Sequence, residues 1–163
     1  KRRYRTDLYK NKVEKIVSEI PEVCIGADVI VGFPGETDEL FTSTLNFIKE
    51  LPISYLHVFS YSERENTLAA TFDGVVPKQK RSERSKMLRI LSDKLQRVHY
   101  QKYLGTTQTA LMEQENKNGF LVGFTDNYIK VKIPFSEELL QKKIKIKLLS
   151  FDENGQILSE KIK

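Results

Sequence analysis

The sequence predicts an α/β segment followed by a small antiparallel β-barrel. Three observations carry that expectation. Helical and strand patterns alternate through residue 104. Beyond Gly105 the helical pattern gives way to five short apolar stretches separated by turn clusters. With 39% hydrophobic and 30% charged residues, the 163-residue chain has the balance of a globular protein of one ordinary domain or two small ones.

Thr6-Asp7 can cap a first helix in which Leu8, Val13, Ile16, Val17 and Ile20 recur at helical spacing, closed by Pro21. Residues 25–33 form a β-branched run with few polar residues, the pattern of a strand covered on both faces. Pro34-Gly35-Glu36 is turn chemistry. Thr37-Asp38-Glu39 then offers a cap and two acids at the positive end of a second helix, whose expected buried stripe is Leu40, Phe41, Thr44, Leu45, Ile48 and Leu51. Residues 55–59 supply a second strand and complete a βαβ unit. After a polar loop, Pro77 opens a long helix over 78–104, with Met87, Leu88, Leu91, Leu95 and Val98 expected inside and Arg81, Arg84, Arg89 and Arg97 outside. Gly105 stops it. The five expected barrel strands cover residues 109–112, 120–124, 128–133, 144–149 and 157–162. The expected domains are therefore 1–105 and 106–163.

Charge is unevenly distributed. The net +5 conceals nine Lys/Arg against two Asp/Glu over residues 78–105, and five against twelve over 6–77. Such a local basic surface suits a polyanion, although a solvated helix face accounts for it equally well. No apolar run is long enough to span a bilayer, and no membrane role is expected. Cys24 is the single cysteine, which excludes an internal disulfide framework and fits a reducing cytoplasm.

Gly32-Phe33-Pro34-Gly35 stands where a parallel strand hands over to a helix, the place where α/β folds gather ligands. It is neither a Walker loop nor a dinucleotide fingerprint, and a plain tight turn explains it as well. Arg64, beyond the second strand, can hold a carboxylate or phosphate, or simply face water. His57 reads as a packed strand residue and Cys24 as a small buried hydrophobe. No catalytic set and no metal cluster can be assembled. In the barrel, Phe120, Phe124 and Tyr128 lie close in sequence to Lys130 and Lys132, a composition that permits base stacking beside phosphate contacts.

Taken together these stretches resemble the radical S-adenosylmethionine methylthiotransferases. Ala27-Asp28-Val29-Ile30-Val31-Gly32-Phe33-Pro34-Gly35-Glu36-Thr37 with Phe41 is similar to the family's fifth-strand region, and Arg2-Arg3-Tyr4 to the element before it. His57-Val58-Phe59-Ser60-Tyr61-Ser62-Glu63-Arg64, then Thr67 and Ala69-Ala70, is similar to the sixth-strand motif. Gly119, Gly123-Phe124-Thr125-Asp126-Asn127-Tyr128 and Val131 resemble the TRAM domain, an RNA-binding, OB-like barrel. Asn66 stands where the family has Gly.

The resemblance implies a partial (β/α) barrel of the radical-SAM type followed by a TRAM barrel. It also implies a parent enzyme that adds a methylthio group to a hypermodified tRNA adenosine beside the anticodon, leaning to the threonylcarbamoyladenosine branch. A non-catalytic RNA-binding module and a ribosomal-protein aspartate methylthiotransferase are the alternatives. Ile30, Val31, Gly32 and Phe59 would line the S-adenosylmethionine pocket, with Arg2 and Arg64 facing its carboxylate or the substrate. Arg81, Arg84, Arg89, Phe124, Tyr128, Lys130 and Lys132 would contact tRNA. The family's 4Fe–4S clusters need several thiolates, so neither cluster nor cofactor is expected on this chain alone. Its expected partners are tRNA, the upstream portion of the same protein, and further copies of itself.

Overall fold

The computed structural model describes residues 5–117 and 119–162. The chain divides into two compact units, residues 1–96 and 97–163.

The first unit contains α1 (Thr6–Glu19), β1 (Gly26–Val31), α2 (Asp38–Glu50), β2 (Tyr55–Ser60) and most of α3 (Lys78–Gln101). β1 and β2 pair in parallel, with Gly26 opposite Tyr55 and Val31 opposite Ser60. α2 forms for the expected reason. Thr37 caps it by accepting the Leu40 amide at 3.3 Å, with Asp38 and Glu39 in the first turn. α1 differs, since Arg5 takes the cap position and contributes no side-chain bond.

The core of this unit joins Val13 of α1, Val31 and Leu56 of the sheet, Phe41 and Ile48 of α2, and Leu88 of α3, with Leu91 and Leu95 packed against it. All three helices therefore contribute to the face of the sheet that carries Val31 and Leu56. The other face, with Asp28, Ile30, His57 and Phe59, is exposed. This corrects the expectation of a strand covered on both sides and of a packed His57. Leu40, Met87 and Val98 are likewise exposed, not buried. An arc of apolar residues wider than the surface it packs on leaves its flanks in water. The outer edge of β2 is closed at one point, where Ser92 Oγ accepts the Leu56 amide at 2.8 Å and donates to the Leu56 carbonyl at 3.2 Å.

The second unit is a closed five-stranded barrel built from β3 (Thr107–Lys117), β4 (Phe120–Thr125), β5 (Lys130–Pro134), β6 (Lys143–Phe151) and β7 (Ile157–Lys161). Its spatial order is β3-β4-β5-β7-β6, with β3 returning to pair β6, and only β5–β7 is parallel. Closure removes exposed strand edges. The interior holds Met112, Leu121, Ile129, Val131, Ile133, Ile146, Leu148 and Ile157. Tyr100 and Tyr103, at and just beyond the end of α3, belong to that core, which explains why residues 97 onward go with the barrel. Gly123 is required by crowding: a β-carbon there would collide with the Leu111 carbonyl oxygen and lie 2.9 Å from Met112 Sδ.

Candidate functional site

In the barrel unit, one outward row crosses four strands. The register places Lys130 beside Phe124, Phe124 beside Leu111, and Leu111 beside Lys143. Side chains alternate between faces of a strand, so cross-strand partners share a face. Leu111 and Lys143 are exposed, and Phe124 and Lys130 half-buried. The ring of Tyr128 stacks on Phe124 at 4.9 Å between centroids and 24° between planes. The Lys130 ammonium lies 6.0 Å from the Phe124 centroid.

Tyr128 is 54% exposed, so a flat aromatic surface faces solvent beside Lys130. Its φ is +65°, uncommon for a bulky residue and costing about 1–2 kcal/mol. The surrounding turn fixes it. The Tyr128 amide donates to the Thr125 carbonyl at 2.9 Å, the Ile129 amide to Thr125 Oγ1 at 2.9 Å, and Thr125 Oγ1 to Asn127 Oδ1 at 2.6 Å. From α3, His99 Nε2 reaches the Asn127 carbonyl at 3.0 Å, and the Tyr100 hydroxyl accepts the Lys130 amide at 3.1 Å. A carbonyl partner requires Nε2 to carry the hydrogen. Burial pushes the His99 pKa down, outweighing the raising effect of that carbonyl. The ring is therefore neutral at pH 7.

The β6 sequence Lys143-Ile144-Lys145-Ile146-Lys147 alternates strictly, so Lys143, Lys145 and Lys147 all point outward. Reading the sequence by clusters of aromatics passes over these three lysines. Their period of two is the available signal. Lys143 lies 3.9 Å from the Asp126 carboxylate, and Lys132 is held more tightly still. Its ammonium pairs with Asp152 at 2.5 Å and sits 4.6 Å from the Phe120 centroid. Burial alone would raise the Asp152 pKa, but Lys132 and the Gln156 and Asn154 amides bring it below the usual carboxylate range.

In the first unit, Arg81 and Arg84 are buried, 5% and 3% exposed, contrary to the expectation that they face solvent. Arg84 donates to the Glu36 carboxylate at 2.6 Å, the Glu36 carbonyl at 3.0 Å and Asp38 at 2.8 Å. Arg81 donates to the Val76 carbonyl at 2.7 Å, the Tyr61 carbonyl at 2.9 Å and the Glu63 carboxylate. That bond holds Glu63 at a pKa of about 2. Lys80 first, then Arg84, lowers that of Asp38. The two arginines thus hold the loops after β1 and β2 and the first residue of α2 in place, because Glu36, Glu63 and Asp38 lie there. Arg89 is exposed, as expected.

Of the pocket candidates, Ile30 and Phe59 are direct partners in the β1–β2 register, 59% and 52% exposed on the open face. Val31 points the other way, into the core. Gly32 has φ +77°, its amide donates to Glu36 at 2.7 Å, and a β-carbon there would meet the Arg81 side chain. Arg64 is exposed. Arg2 lies outside the described residues. Asn66 adopts φ +63°, so the loop keeps the left-handed geometry for which glycine is the usual choice. Among the described residues no cluster of His, Cys, Asp or Glu could hold a metal ion, and no helix is long and apolar enough to cross a membrane.

Residues 101–153, which take in most of the closed barrel, match the TRAM domain model. The chain is 39% identical, over 91% of its length, to the threonylcarbamoyladenosine tRNA methylthiotransferase MtaB of Bacillus subtilis. It is 39% identical over 80% of its length to the MtaB of Aquifex aeolicus, and 34% over 96% to that organism's tRNA-2-methylthio-N(6)-dimethylallyladenosine synthase. The chain is thus similar to tRNA methylthiotransferases over most of its length, and to the TRAM domain over residues 101–153. It spans about a third of the length of those relatives, 34%, 31% and 36% respectively.

Proposed function

We propose that this chain is the C-terminal portion of a cytoplasmic radical S-adenosylmethionine tRNA methylthiotransferase, in which residues 1–105 complete a partial (β/α) barrel and residues 106–163 hold the tRNA. The observation that carries the RNA assignment is the Tyr128–Phe124 stack beside Lys130, with the outward lysines of β6 on the same barrel. Aromatic faces accept bases and the ammonium groups neutralise phosphates. The branch assignment leans to threonylcarbamoyladenosine, following the name of the 39%-identical relatives. The dimethylallyladenosine enzymes at 34% are the second reading.

The open face of the β1–β2 sheet suits one side of a cofactor pocket. Ile30 and Phe59 offer adjacent apolar surface, while the space beside Gly32 is taken by the Arg81 side chain. Arg84, through Glu36, fixes the Gly32–Thr37 turn at that end. S-adenosylmethionine bound there is the source of the radical in such chemistry. The iron–sulfur cluster does not fit this chain: Cys24 is its single thiol, and burial raises the pKa of that thiol. Cluster binding belongs to the upstream portion of the parent. The same open face is where that portion, or a second copy of the chain, covers Ile30 and Phe59.

Mass spectrometry of tRNA nucleosides from a strain lacking the parent gene tests the reading. Loss of the methylthio form with accumulation of threonylcarbamoyladenosine is expected. Loss on the dimethylallyl nucleoside instead selects the second reading, and unchanged tRNA with an altered ribosomal-protein aspartate overturns both.

A further inference from the structure

A groove of about 630 Å³ runs in the first unit between the end of β2 and the outward face of α3. That is the size of a site for a small ligand or a short polymer segment. Lys78, Lys86 and Arg89 line it from the helix, all exposed. At 1.5 Å per residue they extend over roughly 16 Å, longer than one phosphate requires and suited to a chain of them. Of the two acids at the groove, Glu63 is bonded to Arg81, which leaves Asp93 as the one acid to set against three exposed cations. Ser62 and Ser82 add neutral donors along the wall, and Ile90 an apolar stretch. The groove shares no residue with the open sheet face or with the barrel row.

We infer that this groove binds a phosphodiester segment of RNA, a second binding surface separate from the aromatic–lysine row of the barrel. Linear cationic lining with hydroxyl donors matches the sugar–phosphate backbone, which carries a regular negative charge and no sequence information. The inference rests on the reading that the protein binds RNA. It also gives part of the excess positive charge of residues 78–105, that of Lys78, Lys86 and Arg89, a role, since Arg81 and Arg84 are consumed by the chain's own acids.

The test is titration of the 163-residue chain with fluorescently labelled tRNA transcript at several salt concentrations. Four forms are compared: the parent, Lys86→Ala/Arg89→Ala, Lys86→Arg/Arg89→Lys and Tyr128→Ala. Circular dichroism checks that each is folded. The double-alanine variant should bind several-fold more weakly. Its slope of log affinity against log salt should flatten by about 0.9 for each duplex phosphate that the variant no longer neutralises. The charge-conserving variant should keep the parental slope. If the parent and Tyr128→Ala behave as RNA binders while the double-alanine variant matches the parent in affinity and slope, the groove is not an RNA site. An acidic protein occupant would give that same result. No binding by the parent overturns the RNA reading itself.

Discussion

Arg84→Met separates a structural role for the start of α3 from an RNA-binding one. Methionine keeps much of the aliphatic volume and removes the guanidinium. The Glu36 carboxylate, only 15% exposed, then keeps its bond from the Gly32 amide and loses its cation. Breaking a buried pair from one side costs about 3–5 kcal/mol. Residual solvent access to Glu36 brings the expectation down to about 2–3 kcal/mol. For a unit of fewer than 100 residues, each kcal/mol moves the midpoint by about 4–8 °C, so the first unit should melt roughly 10–20 °C lower. Differential scanning calorimetry together with far-ultraviolet circular dichroism reads this, because α1, α2 and most of α3 lie in that unit while the barrel is β-structure. tRNA affinity and its salt slope, measured below the new midpoint, should not change. An unaltered midpoint combined with a flattened salt slope would place Arg84 at the RNA interface instead.

Three further outcomes are expected. Tyr128→Ala should weaken tRNA binding by about 1–3 kcal/mol without altering the salt slope, since stacking releases no counterions; fluorescence anisotropy at three salt concentrations reads both. His99 is buried and neutral with its pKa below 6.5, so the unfolded chain takes up a proton that the fold resists. Barrel stability should therefore be full above pH 6.5 and fall as pH drops below it, a dependence that urea unfolding should show weakened in His99→Gln. Gly123→Ala should destabilise or prevent barrel closure through collision with the Leu111 carbonyl, and a wild-type denaturation midpoint would contradict that.

The elements are legible in the sequence because their signals are local. Thr37 and its following acids mark the start of α2, and the alternating stretches after Gly105 match β3 to β7 within a few residues. What stays hidden depends on partners distant in sequence. Nothing near Arg81 and Arg84 announces that Glu63, Glu36 and Asp38 will meet them, so helical charge patterning alone makes them solvent-facing. Lys132 is a second case of the same kind, its partner Asp152 lying beyond β6 in the chain. For residues 26–31 the apolar composition is plain, but which face the helices cover is not. The support of Tyr128 by His99 and Tyr100 joins a helix end to a hairpin turn, and no spacing rule connects them.

tRNA bases are expected to stack on the Phe124–Tyr128 face of the barrel, and the buried Arg84 is not expected to touch RNA. Photocrosslinking of 4-thiouridine-substituted tRNA to the 163-residue chain, with the attached peptides mapped by mass spectrometry, tests it most directly. Crosslinks should fall on Phe124, Tyr128, Lys130 and the β6 lysines Lys143 and Lys145. A barrel face free of crosslinks, with every adduct on α3, would contradict the assignment of the barrel as the surface that holds tRNA bases.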